Sequence, residues 1–183
     1  MTSTTIRRMV AALAIASTVT ACGDDDDSVA APGEAGDEPS TIEVTAVDFG
    51  YEGLPDTIPA GSTLRLANSS PGEIHELVAF RIDDDDTRSI DDLVTLPPDE
   101  LLGLIGPEPA MVLLTPPGGD QIAAVGDGSL AEPGRYGVIC VIPTGADPDE
   151  YLEASAESEG GPPDVEGGPP HITEGMFAEF VVE

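Results

Sequence analysis

Four side chains in this sequence could together hold a soft metal ion. Cys140 ends an apolar run, Gly134-Arg135-Tyr136-Gly137-Val138-Ile139-Cys140. His171 follows a long Gly/Pro/acid stretch, and Met176 comes five residues later. His75 opens another apolar run far upstream. A thiolate, two imidazoles and a weak thioether suit copper in both of its oxidation states, so the chemistry on offer is one-electron transfer at a single ion. Each residue also has a plain reading. A free cysteine on an apolar strand is commonly a small core residue, and a lone histidine at a strand edge is commonly structural. The pattern matters because the chain has only two histidines and two cysteines, and both histidines stand at strand edges.

Strands must bring these residues together. Thr41–Phe49 alternates through Ile42, Val44 and Ala46, and Ser62–Asn68 through Leu64 and Leu66; His75–Ile82 and Arg135–Ile142 also read as strands. Further strands are expected at Ala110–Leu114, Gln121–Val125 and Met176–Val182. In Arg135–Ile142 the period of two puts Tyr136, Val138, Cys140 and Ile142 on one face. Residues 89–105 read as helical, with Ser89 as a cap and a second start at Asp99 after Pro97-Pro98. Pro148–Glu157 reads as a short helix capped by Asp147. Gly and Pro are abundant, 21 and 18, which favours a turn-rich β protein. The expected fold is all-β: a Greek-key antiparallel β-sandwich of about seven or eight strands, with short helices in its connections. With no Trp and 4% aromatics, its core is expected to be Val, Ile, Leu and Ala. Pro169-Pro170 restricts the backbone before His171, and Gly175 permits a tight turn before Met176.

The N-terminus reads as an export signal over residues 1–22. Arg7 and Arg8 precede an apolar, Ala-rich stretch too short to span a bilayer. It ends Val19-Thr20-Ala21-Cys22, which resembles a bacterial lipobox. Cys22 is therefore expected to be lipidated and to tether the chain to the membrane's outer, extracytoplasmic face. Residues 23–40, with four consecutive Asp at 24–27, read as a disordered acidic linker. The domain proper is expected over 41–183, with an insert at 143–170.

Three segments resemble the cupredoxins, the plastocyanin- and azurin-like type 1 copper proteins. Phe49, then Ile58-Pro59-Ala60-Gly61-Ser62-Thr63-Leu64-Arg65-Leu66-Ala67-Asn68, then His75 is similar to one family pattern. Pro133-Gly134-Arg135-Tyr136-Gly137-Val138-Ile139-Cys140 is similar to a second. His171 to Met176, with Gly175 before the methionine, has the spacing of the plastocyanin-like ligand loop. The resemblance covers about residues 41–183. It implies one type 1 copper with His75, Cys140 and His171 as equatorial ligands and Met176 as the weak axial one. It also implies electron transfer through His171 near an apolar surface, without a substrate pocket. One departure is clear: the family places its histidine a few residues after the cysteine, and here 141–170 intervene.

The charge balance narrows the partners. Acidic residues number 36 against 6 basic ones, for a formal net charge of -30. Such a chain repels nucleic acid and anionic headgroups, which excludes nucleic acid and leaves the lipid anchor as the membrane contact. A redox partner protein with a cationic docking surface fits the charge, and the chain is expected to act as a monomer. The residues leave three rival readings open. Cys140 with a histidine could be a nucleophile and base, yet no orienting partner or nucleophile turn is visible, so no enzyme is expected. A copper carrier would use the same ligands, although the chain past Cys22 keeps only Met111 and Met176. A metal-free interaction module would not need all four candidate ligands.

Overall fold

The computed structural model describes residues 38–158 and 161–183. The stretch expected to be an export signal, Cys22 and nearly all of the expected linker at 23–40 lie outside the described residues. Among the described residues ten strands form two sheets. The four-stranded sheet runs β2 (Gly50–Glu52), β1 (Thr41–Val47), β4 (Ser62–Asn68), β8 (Ser129–Leu130). The six-stranded sheet runs β3 (Thr57–Ile58), β10 (Phe177–Val182), β9 (Gly134–Ile139), β5 (His75–Ile82), β6 (Met111–Thr115), β7 (Ile122–Val125). One core cluster joins their inner faces: Val44, Ala46, Leu64 and Leu66 from one sheet pack with Leu77, Met111, Leu113, Val138 and Phe180 from the other. The fold is thus a β-sandwich.

Its sheets are mixed, where alternation had suggested antiparallel pairing throughout. β1 runs parallel to β4, in register from Thr41↔Thr63 to Ala46↔Asn68, and β3 runs parallel to β10. The cause is the path of the chain. After the β1–β2 hairpin it crosses to the other sheet as β3, then returns as β4, and that crossover brings β4 back in the direction of β1. A side-chain period of two reports which face is buried, not which way a neighbour runs.

β5 is buried on both sides, and its middle is a continuous apolar run, Leu77-Val78-Ala79-Phe80. Its second face is covered by two short helices, α1 (Ile90–Leu93) and α2 (Pro98–Ile105). Ile90, Leu93 and Leu101 from these helices meet Val78, Phe80, Ile82 and Ile139 in a separate cluster. Ser89 caps α1 through a reciprocal contact with Asp92, a capping box. The core is not purely aliphatic as composition suggested. Tyr136, Tyr151, Phe80 and Phe180 are among its largest fully buried side chains, because the few aromatics are concentrated inside. No helix among the described residues is long and apolar enough to cross a membrane.

The segment between Cys140 and His171 leaves the sandwich and returns to nearly the same point. Thr144 N–H donates to the Pro169 carbonyl at 3.0 Å, Gly168 N–H to the Thr144 carbonyl at 2.7 Å, and His171 N–H to the Ile142 carbonyl at 3.0 Å. Gly167 allows this approach: a Cβ there would come within 2.5 Å of the Pro143 side chain. The excursion carries helix α3 (Pro148–Glu157), capped by Asp147 as its sequence indicates. α3 is pinned by Tyr151, which is 1% exposed, while Leu152 and Val165 pack against the main core.

Candidate metal centre

Each site residue is placed by a strand end. β9 ends at Ile139, and Cys140 then passes from the β9–β10 ladder to the loop that leads into β10. Its N–H donates to the Met176 carbonyl at 3.2 Å, and its carbonyl accepts from Ile172 N–H at 2.8 Å. Cys140 is thereby clamped on both sides by the His171–Met176 loop. That loop is a single 3-10 turn, His171–Glu174, ended by Gly175 at φ 106°, as the tight turn required. Met176 N–H closes it by donating to the His171 carbonyl at 3.1 Å.

His75, the first residue of β5, comes in from the neighbouring strand. β5 pairs with β9 from Val78↔Ile139 onward, so His75 lies just beyond the paired stretch, alongside the segment after Cys140. Ligand atoms of His75, Cys140 and His171 all lie within 4.8 Å of one another, and all three residues are buried. Cys140 Sγ is 3.3 Å from His171 Nδ1, and the two imidazole centroids are 4.9 Å apart. Met176 is fully buried in the core cluster that holds Cys140. The structure therefore brings together the three strong donors chosen from sequence and seats Met176 on the same loop. Cys22 is outside the described residues.

The donors fit a metal. Among the described residues, the buried side-chain nitrogens and oxygens without a hydrogen-bond partner are Nδ1 and Nε2 of His75. Burying polar atoms unpaired costs about 1–3 kcal/mol each by mutational measures, and folded proteins rarely leave them so. A ligand bond to one of them removes part of that cost. The same burial explains the local charge states. Desolvation, with a smaller contribution from His171, brings His75 down to about 4. Desolvation also lowers His171, against the opposing pull of Glu73. Burial pushes the Cys140 thiol up, with Glu76 adding to it. In the metal-free protein both rings are thus neutral and the thiol keeps its proton. Neutral imidazoles are ready to coordinate, and the thiol must lose its proton to do so.

His171 is more enclosed than a surface-facing histidine would be: it is 0% exposed. The Phe49 ring meets it edge-on, with centroids 5.2 Å apart, and the Glu73 carboxylate lies 3.3 Å from its Nε2. Phe49 has φ 62°, a left-handed conformation unusual for an aromatic residue, in the turn between β1 and β2.

Two acids at the site were not singled out from sequence. Glu73 is one. Glu76 is the other: its Oε1 accepts from Val141 N–H at 2.9 Å, and its Oε2 is 3.3 Å from the Tyr151 hydroxyl. Its backbone carbonyl accepts from the Tyr51 hydroxyl at 2.6 Å. Burial raises Glu76 to about 7, partly offset by the hydrogen bonds from Val141 N–H and the Tyr151 hydroxyl. The available signal was position alone, two residues before and one after His75.

Comparison with known proteins finds similar solved structures. The chain is 19% identical to a dithionite-reduced auracyanin from the photosynthetic bacterium Roseiflexus castenholzii, over 82% of this chain and 99% of that one, with a TM-score of 0.44. It is 15% identical to auracyanin A, a "blue" copper protein from the green thermophilic photosynthetic bacterium Chloroflexus aurantiacus, over 80% and 100%, with a TM-score of 0.39. A structure of auracyanin B shares 17% identity over 79% and 88%, with a TM-score of 0.34. No family model and no curated protein matches significantly.

Proposed function

We propose that this protein is a type 1 copper electron-transfer protein, a one-electron shuttle held on the outer face of the membrane by acyl chains on Cys22. The observation that carries the reading is the convergence of His75, Cys140 and His171 within 4.8 Å in a buried site, with both His75 nitrogens unpaired. Those three residues would hold the ion, and Met176 would be the weak axial donor. Copper bound there would supply a reversible Cu(II)/Cu(I) couple.

The chain's own part is to hold one arrangement for both oxidation states. The two backbone hydrogen bonds on Cys140 fix the thiol against the turn after Pro170 that carries His171. β5, the strand next to β9, fixes His75. Burial of all three donors excludes water and keeps competing ligands away. Full burial also favours a shuttle over a copper carrier, which needs ligands that a recipient can reach. It disfavours Cys140 as an enzymatic nucleophile as well, since burial keeps the thiol protonated. The partner that fits the charge is a redox protein with a cationic docking surface.

The test is to load the mature domain with Cu(II) and record visible absorption and EPR. The expected result is an intense thiolate-to-copper band with narrow copper hyperfine splitting, both absent in Cys140→Ser. A colourless protein without stoichiometric copper overturns the proposal. Fast self-exchange between oxidised and reduced forms separates the shuttle from the carrier.

A further inference from the structure

Glu73 is built into the site rather than resting on its surface. Its N–H donates to Ser70 Oγ at 3.1 Å, and its carbonyl accepts from Asn68 Nδ2 at 2.9 Å. The same Asn68 nitrogen donates to the Thr115 carbonyl at 2.9 Å, which ties this loop to β6. From that fixed backbone the side chain, 22% exposed, reaches two targets with one oxygen. Oε2 accepts from Gly145 N–H at 2.9 Å and lies 3.3 Å from His171 Nε2. Glu73 therefore stands between a candidate ligand and the foot of the 143–170 excursion.

The far side of the same ring is also engaged, since His171 Nδ1 is 3.3 Å from Cys140 Sγ. A neutral imidazole carries one N–H. The Glu73 oxygen beside the ring already accepts from Gly145 N–H, so it faces His171 as an acceptor, and the hydrogen belongs on Nε2 and the lone pair on Nδ1. The Cys140 thiol can then donate to Nδ1 in the metal-free protein. That tautomer is the one a metal needs at Nδ1. A carboxylate behind a ligand histidine also raises the ring's basicity and adds negative charge near the ion.

We infer that Glu73 is a positioning residue for this centre: it locks His171 in the Nε2–H tautomer with Nδ1 facing Cys140, and it favours the more highly charged Cu(II). The second half rests on the copper reading; the first concerns the metal-free chain alone.

Two variants test it. In the metal-free protein, side-chain nitrogen NMR should show His171 purely as the Nε2–H tautomer, and Glu73→Ala should give a mixture of the two. With copper, the isosteric Glu73→Gln keeps an acceptor but loses the charge. It should weaken Cu(II) about 10- to 100-fold, the usual cost of losing such a partner, and Cu(I) less. Each tenfold loss confined to Cu(II) raises the reduction potential by about 59 mV. If Glu73→Ala does not fold, Glu73→Gln and its potential decide the matter. A purely structural Glu73 would lower stability in both variants while tautomer and potential stayed at wild-type values, and that result overturns the inference. If the wild type takes up no copper, the proposed function fails, and the tautomer measurement alone then judges Glu73.

Discussion

Glu76, the residue after His75, accepts a hydrogen bond at 2.9 Å from the backbone N–H of Val141, the residue after Cys140. The β5–β9 ladder has ended by this point, and a side chain takes over the work of a backbone rung. It keeps the two ligand-bearing segments at a fixed spacing. Glu76→Ala would leave Val141 N–H without its acceptor and the Tyr151 hydroxyl without its contact in a buried place. The expected loss is about 1–3 kcal/mol per stranded group. Glu76→Gln retains a carbonyl for Val141 and should lose less. Denaturant midpoints of the metal-free forms check the order.

The 143–170 excursion depends on Tyr151. Its ring is buried against the core, and its hydroxyl is 3.3 Å from Glu76 Oε2. Tyr151→Ala removes a large buried aromatic and should cost about 3–5 kcal/mol, in the range of other aromatic truncations. Tyr151→Phe loses only the hydroxyl contact, on the order of 1 kcal/mol. The excursion should open before the sandwich does, so limited proteolysis of Tyr151→Ala should cut first within the Gly/Pro stretch after α3. A variant in which cleavage begins in the sandwich strands would contradict this order.

Much of this was legible in the sequence. The long strands announce themselves by alternation: Ser62–Asn68 and His75–Ile82 have the expected bounds. Helix caps at Ser89 and Asp147 were equally direct, because a side-chain acceptor followed by an acidic first turn is a local signal. Cys140, His75 and His171 stood out because their residue types are scarce. What stayed hidden was non-local or common. β2, β3 and β8 are two or three residues long, too short for a period. The parallel pairings depend on a crossover between sheets. Glu73 and Glu76 could not be picked from 36 acids, since only the fold distinguishes a buried carboxylate from a solvating one. The enclosure of His171 likewise depends on Phe49 and Glu73 arriving from elsewhere in the chain.

At the other end of β9 the few cations are committed to acids. Asp86 accepts from Arg88 Nε at 3.0 Å and from Arg88 Nη2 at 2.6 Å. Those hydrogen bonds hold Asp86 down at about 2, from an ordinary 3.8. A depressed carboxylate stabilises the fold above its unfolded value and loses that contribution as pH falls through the folded one. Asp86→Asn should therefore be less stable than wild type at pH 6, and the gap should close between about pH 4 and pH 2. Arg88 is exposed, so the effect should be small and should shrink in high salt. Thermal melts across this pH range, with and without salt, measure it. A gap that persists at pH 2 would refute the ion pair as its source.

Met176 shares a loop with His171 and a backbone hydrogen bond with Cys140. As a weak axial donor it would favour Cu(II) slightly, since the extra electron density matters more to the higher charge. Met176→Leu conserves volume and should cost under about 1.5 kcal/mol in stability. It should keep the thiolate-to-copper band and raise the reduction potential. Voltammetry on the two proteins compares them directly. An unchanged potential would mean that Met176 is only a core residue.

His75 offers the sharpest separation of function from stability. Its ring is fully buried, and neither nitrogen has a partner. Without metal, those atoms are a cost that the fold carries. His75→Leu fills similar space with apolar atoms and removes the unpaired groups. The metal-free variant should therefore be more stable than the metal-free wild type, by about 1–3 kcal/mol. With copper present the order should reverse, because a ligand that binds the folded state stabilises it by mass action and the variant would lack one of the three proposed donors. Parallel denaturation series, with and without copper, give both signs in one experiment. If the metal-free variant is instead destabilised, His75 is a satisfied core residue, and the case for a metal at this point in the fold falls with it.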